Sequence, residues 1–151
     1  MNMQNVKKKI LFVCGGNTCR SPMAKVVVEQ MIQKKGLLDK FEVDSAAYDG
    51  PTYLVASKNA REAIKTMLKT DLLSTHRAKK LTPDLVEWAD LILVMGARMK
   101  KGLPPSKTWT LKEFAGGSGD VADPFGGNLN VYLACAHEIS ETLEAILRKL
   151  A

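Results

Sequence analysis

Cysteine is scarce in this chain: three residues in 151, an odd number, which makes no disulfide framework. Long apolar runs are missing as well. None approaches the length of a membrane span, and Ile10–Val13, the apolar stretch nearest the N-terminus, is far too short for a signal peptide. There are no zinc-type Cys/His spacings, no RNA-binding aromatic motif and no basic heptad region. Only Lys7–Lys9 form a basic run, which reads as a solvated lead-in to a strand. Internal repeats, linkers and low-complexity segments are absent too. These absences exclude secreted disulfide scaffolds, membrane spans and the common nucleic-acid readers. The expectation is a soluble, cytoplasmic protein with neither membrane nor nucleic acid as partner.

What is present suits one folded unit over residues 1–151. Apolar residues make up 46% and charged residues 25%, an ordinary globular composition. At this length roughly two-thirds of the unfolded surface can be buried, enough for a core without staples. The net charge of +6 favours anionic partners without choosing among them.

Along the chain, strand and helix signals alternate. Ile10–Val13 reads as a buried strand stopped by Gly15-Gly16. Ser21-Pro22 reads as a helix start, Ser21 as cap and Pro22 at the first position, with Gly36 ending the helix. Phe41–Ser45 is a second strand and Tyr48–Pro51 a turn. A helix over Ala56–Leu68 has Ala56, Ala60, Ala63, Ile64 and Met67 at helical spacing. Thr82-Pro83 starts another helix, Ala89–Met95 is the strongest strand signal, and Thr108–Leu111 is a weak one. A polar loop over Gly116–Asn130 precedes a last helix over Val131–Leu150. This alternation predicts an α/β fold, a parallel sheet with helices on both faces joined by right-handed crossovers. Ligands in such sheets sit at the carboxyl ends of the strands near the switch in strand order. The loop after the first strand is the first place to look.

That loop reads Cys14-Gly15-Gly16-Asn17-Thr18-Cys19-Arg20-Ser21. A cysteine at a strand end is, alone, more often inert packing. Its neighbours point elsewhere. Two glycines allow successive N–H groups to converge on an anion. The loop runs into a helix amino end, whose free N–H groups and partial positive charge suit a dianion. Arg20 adds a planar fork for two phosphate oxygens. The same field stabilises a thiolate on Cys14, and Ser21 can donate a hydrogen bond to its sulfur. Cys19, five residues on, could pair with Cys14 under oxidation if the loop brings the sulfurs within range. The Gly-Lys-Ser/Thr ending of a nucleotide P-loop is missing.

The Cys-x5-Arg-Ser-Pro pattern at Cys14 resembles the low-molecular-weight protein-tyrosine-phosphatase family. Asp44-Ser45-Ala46, Ser74–Ala78, Ala89–Met95 and Asp123-Pro124 extend the match over almost the whole chain. The resemblance implies a four-stranded parallel sheet of flavodoxin-like type, phosphorylated protein substrates, no metal and no cofactor, and allows weak self-association. By position it implies Cys14 as nucleophile, Arg20 as phosphate clamp and Asp123 as general acid, with Asp120 the nearest rival. Gly15, Gly16, Asn17, Thr18, Cys19 and Ser21 would cradle the phosphate, while Asn17, Ser45 and His76 resemble the network that shapes the loop. Tyr48 and Tyr53 lie in the variable segment flanking the pocket. Phe125-Gly126 stands where eukaryotic-type members carry a tyrosine pair, so Phe125 would make an altered pocket wall. Thr18 replaces the usual bulky apolar residue and, with Asp123–Gly127, resembles the bacterial protein-arginine-phosphatase branch. Cys135 and His137, in the last helix, read as packing and solvated residues.

Two alternatives come from other functional classes. An arsenate reductase on this fold needs two further cysteines before the third strand, and none lies between Cys19 and Cys135. A non-catalytic phosphate-binding module would not need nucleophile, clamp and acid together.

Overall fold

The computed structural model describes residues 6–50 and 54–151. Four strands, β1 (Lys8–Cys14), β2 (Phe41–Ala47), β3 (Leu91–Val94) and β4 (Thr108–Thr110), form a parallel sheet in the order β2-β1-β3-β4. Central β1 pairs on both sides, Ile10 lying opposite Val43 and Leu91. Burial on both faces explains why its sequence is an unbroken apolar run. Side-chain alternation then sorts the core into two layers. Ile10, Phe12 and Cys14 point into the larger layer, and Leu11 and Val13 into the smaller. Cys14 is thus delivered, by parity and position, to the carboxyl end of the central strand on the face covered by the major helices.

The larger layer is roofed by α1 (Arg20–Lys34), α2 (Lys58–Leu68) and α5 (Leu129–Leu150). The smaller packs under α3 (Pro83–Trp88) and the 3-10 turn Ala97–Lys100, through Leu85, Val86 and Met99. Thr82 caps α3 as its sequence suggests, its hydroxyl accepting from the Leu85 N–H at 3.2 Å.

Several boundaries differ from the sequence expectation. Ser21 does not cap α1: the helix starts at Arg20, Cys19 occupies the cap without a side-chain bond, and Ser21 lies inside the first turn. Its hydroxyl is recruited by Asn17 and Cys14 instead. Ser57 caps α2 by accepting from the Ala60 N–H at 3.3 Å, so Ala56 lies outside the helix. Leu111 belongs to a short helix, α4 (Leu111–Phe114), nucleated by a reciprocal cap between Thr110 and Glu113. Asn128 caps α5, which begins two residues before Val131.

Two long-range ladders bring distant segments to the β1 end. The Ala47 N–H donates to the Lys79 carbonyl at 2.7 Å and the Leu81 N–H to the Ala47 carbonyl at 2.8 Å, laying residues 79–81 beside β2. The Val121 N–H donates to the Met95 carbonyl at 2.9 Å, fastening the segment before α5 to the end of β3. The crevice between β1 and β3, where strand order reverses, therefore collects residues from four parts of the chain.

Candidate active site

The loop between β1 and α1 is shaped by one side chain. Asn17 is wholly buried and has a left-handed backbone, with φ of 56°, a conformation asparagine tolerates better than most residues. Its Oδ1 accepts from the Lys79 N–H at 3.1 Å, which fixes the amide orientation. Its Nδ2 then donates to Ser21 Oγ at 2.8 Å and Ser45 Oγ at 3.0 Å. Because Ser21 Oγ accepts from Asn17, its own hydrogen is free for Cys14 Sγ, 3.0 Å away. That bond fixes the sulfur's position at the carboxyl end of β1. At Gly15 a Cβ would sit 3.2 Å from Arg98 Nη2, so any side chain there would press on that exposed guanidinium.

Arg20 opens α1 and is nearly buried. Its Nη1 donates to the Val121 carbonyl at 2.8 Å, and its Nη2 lies 3.7 Å from Asp123 Oδ2. The ladder from Val121 to Met95 thereby sets Asp123 at the edge of the loop, more than a hundred residues from Cys14 in sequence. Asp123 is largely exposed, and its Oδ1 accepts from the Phe125 N–H at 3.1 Å, a local turn that aims the carboxylate. Asp120 is used otherwise. Its Oδ1 accepts from the Ala97 N–H at 3.0 Å, anchoring the loop to the turn after β3.

His76 holds the loop from behind, its Nε2 2.7 Å from the Asn17 carbonyl. That contact requires a hydrogen on Nε2. Burial holds its pKa below the ordinary 6.5, and Lys25 and Lys79 push the same way, against the Asn17 carbonyl and Asp44. The folded protein therefore binds a proton at His76 less readily than the unfolded chain. The stability this histidine confers is complete above pH 6.5 and is lost as pH falls through 6.5 toward the folded value. His76→Gln is expected to flatten the fall in urea midpoint across that window; identical slopes in the two proteins would contradict the assignment.

With this geometry in place, the relatives can be compared. The profile described as "Low molecular weight phosphotyrosine protein phosphatase" matches residues 9–151. The chain belongs to that family. It is accordingly a phosphoprotein phosphatase, a hydrolase whose substrates are phosphorylated proteins. The chain is 36% identical to a protein-arginine-phosphatase of Bacillus subtilis over 93% of its own length and 95% of the relative's. Among solved structures it is similar to a low-molecular-weight protein tyrosine phosphatase from T. tengcongensis, with a TM-score of 0.88 and 38% identity over 95% and 99% of the two chains. The YwlE arginine phosphatase, solved as a cysteine-to-serine mutant with phosphorylated active-site serine, gives a TM-score of 0.85 and 35% identity over 94% and 95%. The four-stranded parallel sheet is the one this family resemblance implied.

In this phosphatase the remaining loop residues divide between rim and core. All three cysteines are free. Cys19 turns inward, its Sγ 3.3 Å from Ser57 Oγ and 3.5 Å from the Tyr132 hydroxyl. Pairing with Cys14 would have to break those contacts. Burial first, and Cys19 second, push the Tyr132 pKa up to about 12, so its phenol stays protonated. Thr18 is half-buried, with Oγ1 3.7 Å from Cys19 Sγ and its carbonyl accepting from the Ser57 N–H at 3.0 Å. Phe125 is 80% exposed, which makes it a rim residue rather than a packed wall. Tyr48 is half-buried and its hydroxyl donates to the Lys101 carbonyl at 2.7 Å. Tyr53 lies outside the described residues. Cys135 is half-buried on α5, burial pushing its thiol up to about 12, as suits a packing residue, while His137 is exposed.

Val121, Ser57, Tyr132, Lys79, Asp49 and Arg98 were not singled out by sequence. Val121, Ser57, Tyr132 and Lys79 reach the loop by tertiary contact across 38 or more residues, Asp49 through the Gly15 carbonyl, and Arg98 through Asp49, so no local pattern marks them. Among the described residues no helix is long and apolar enough to cross a membrane.

Proposed function

We propose that this phosphatase hydrolyses phosphoarginine in cytoplasmic proteins through a phosphocysteine formed on Cys14. The observation that carries the mechanism is the convergence at one loop of the Ser21-bonded Cys14 sulfur, the nearly buried Arg20 and Asp123 beside it. Arg20 and the loop amides hold the equatorial oxygens, and the Cys14 thiolate attacks phosphorus in line with the leaving nitrogen. The S–P bond forms as the P–N bond breaks, and protonated Asp123 delivers its hydrogen to the departing guanidine. The resulting Asp123 carboxylate then takes a proton from water as its oxygen attacks phosphorus, releasing inorganic phosphate and the thiolate. The YwlE relative, with its phosphorylated active-site serine, supports a covalent route of this kind. Asn17, Ser45 and His76 act by holding the loop.

Thr18 supports phosphoarginine over phosphotyrosine, and so do the curated relatives named protein-arginine-phosphatases from Bacillus subtilis and Geobacillus stearothermophilus, each 36% identical. A phosphorylated guanidinium is planar and rich in N–H donors. A branched apolar residue at position 18 would desolvate those donors without pairing them, at about 1–3 kcal/mol per group. A threonine hydroxyl can accept from them by rotating away from Cys19. Thr18→Ile is therefore expected to slow phosphoarginine hydrolysis by at least about tenfold while aryl phosphate hydrolysis is equal or faster. Parallel loss of both activities would show that Thr18 only shapes the loop, and phosphotyrosine would become the favoured substrate.

A further inference from the structure

Beside the loop, one residue beyond the Ala97 N–H that binds Asp120, stands a second guanidinium. Arg98, on the 3-10 turn after β3, binds Asp49 with both Nη atoms, at 3.0 and 3.3 Å. Its guanidinium carbon lies 5.8 Å from the centre of the Tyr48 ring, and its Nη2 lies 3.2 Å from where a Cβ on Gly15 would be. Tyr48 and Asp49 are themselves stitched to the loop, their N–H groups donating to the Cys14 and Gly15 carbonyls at 2.8 and 3.0 Å. The Tyr48 hydroxyl reaches the Lys101 carbonyl, so one ring touches both Arg98 and the Lys101 backbone. Lys100 is already matched by Glu113 at 2.6 Å, whereas Lys101 is exposed and has no acidic partner among the described residues.

The Arg98–Asp49 pair is more than half exposed on both sides. Such a pair contributes little to stability, about 0–1 kcal/mol, and exchanges readily for another carboxylate. Asp49 therefore occupies a place that a carboxylate from outside can take, beside the pocket that receives the phosphoryl group. We propose that Arg98 and Lys101 form a docking strip for an acidic side chain flanking the phosphorylated residue of the substrate, with Asp49 as the internal carboxylate it displaces. A basic flank is disfavoured, because Lys101 and the fixed Arg98 would both repel it. The chain's charge of +6 acts in the same sense at longer range. This inference rests on the phosphatase reading of the adjacent loop.

The test uses three phosphopeptides, flanked by aspartate, serine or lysine and built on whichever phosphoresidue the protein cleaves faster. An aryl phosphate without flanks is run beside them. At low ionic strength kcat/KM is expected to be about two- to fivefold higher for the aspartate peptide than for the serine peptide, with the advantage shrinking toward unity in strong salt. Arg98→Glu combined with Lys101→Glu should invert the order toward the lysine peptide. Asp49→Asn, which removes the internal competitor, should widen the aspartate preference two- to threefold through KM, a gain that misfolding cannot produce. Flat ratios in the unmodified protein, or a narrowed preference in Asp49→Asn, would overturn the docking strip. If the aryl phosphate is cleaved while the ratios are flat, only this inference falls; if neither it nor any peptide is cleaved, the phosphatase reading falls with it.

Discussion

Replacing Cys14 with serine is expected to cut steady-state turnover by at least about a thousandfold, yet leave inorganic phosphate binding within a fewfold of normal. The reason lies in how the loop divides its work. In the proposed mechanism anion binding comes from backbone N–H groups, the α1 terminus and Arg20, none of which needs the sulfur. Turnover needs a nucleophile that is ionised near neutral pH and that leaves again in the second step. A thiolate meets both needs; a serine hydroxyl stays protonated, and its phosphate ester is hard to hydrolyse. The variant should therefore stall with phosphoryl held on the new serine, the state described for the YwlE relative. Titration calorimetry with phosphate, beside initial-rate measurements, separates the two functions. Retention of more than about one percent of activity would place the nucleophile elsewhere.

Asp123→Ala has the second-largest expected effect, and it should depend on the leaving group. A positioned general acid contributes about 10²–10⁴-fold when the leaving group is basic. A nitrophenolate leaves without a proton, so its release should slow far less, while a simple phenol or guanidine should show the full loss. Asp120 provides the contrast. Its carboxylate is committed to the Ala97 N–H, so Asp120→Ala should loosen the loop and slow all substrates alike. Equal slowing of acidic and basic leaving groups by Asp123→Ala would make Asp123 a structural residue and leave the acid unassigned.

The parts of this site legible in the sequence are those carried by contiguous residues. Cys14, Gly15, Gly16 and Arg20 announce an anion loop because glycine freedom, a strand end and a helix start all fall within seven residues. Strand parity places Cys14 on the face of the major helices, but the unbroken run Ile10–Val13, buried on both faces, does not say which face that is. Asp123 was legible only through the family resemblance, since the bond from Arg20 to the Val121 carbonyl has no local signature. The misplaced cap at Ser21 shows the opposite failure. A serine before proline satisfies every local rule for a helix start, but Asn17 and Cys14 compete for its hydroxyl and win. The Arg98–Asp49 pair was invisible for a similar reason, its members being 49 residues apart and joined only when β1 and β3 pair.

The covalent step on Cys14 is tested most directly by rapid mixing with an aryl phosphate, acid quenching within the first turnover, and peptide mapping by mass spectrometry. A burst of phenol equal to the protein concentration, with one phosphoryl group on the peptide containing Cys14 and its decay matching phosphate release, is the predicted result. Steady turnover with no burst, or a phosphoryl group found on any other residue, would contradict it.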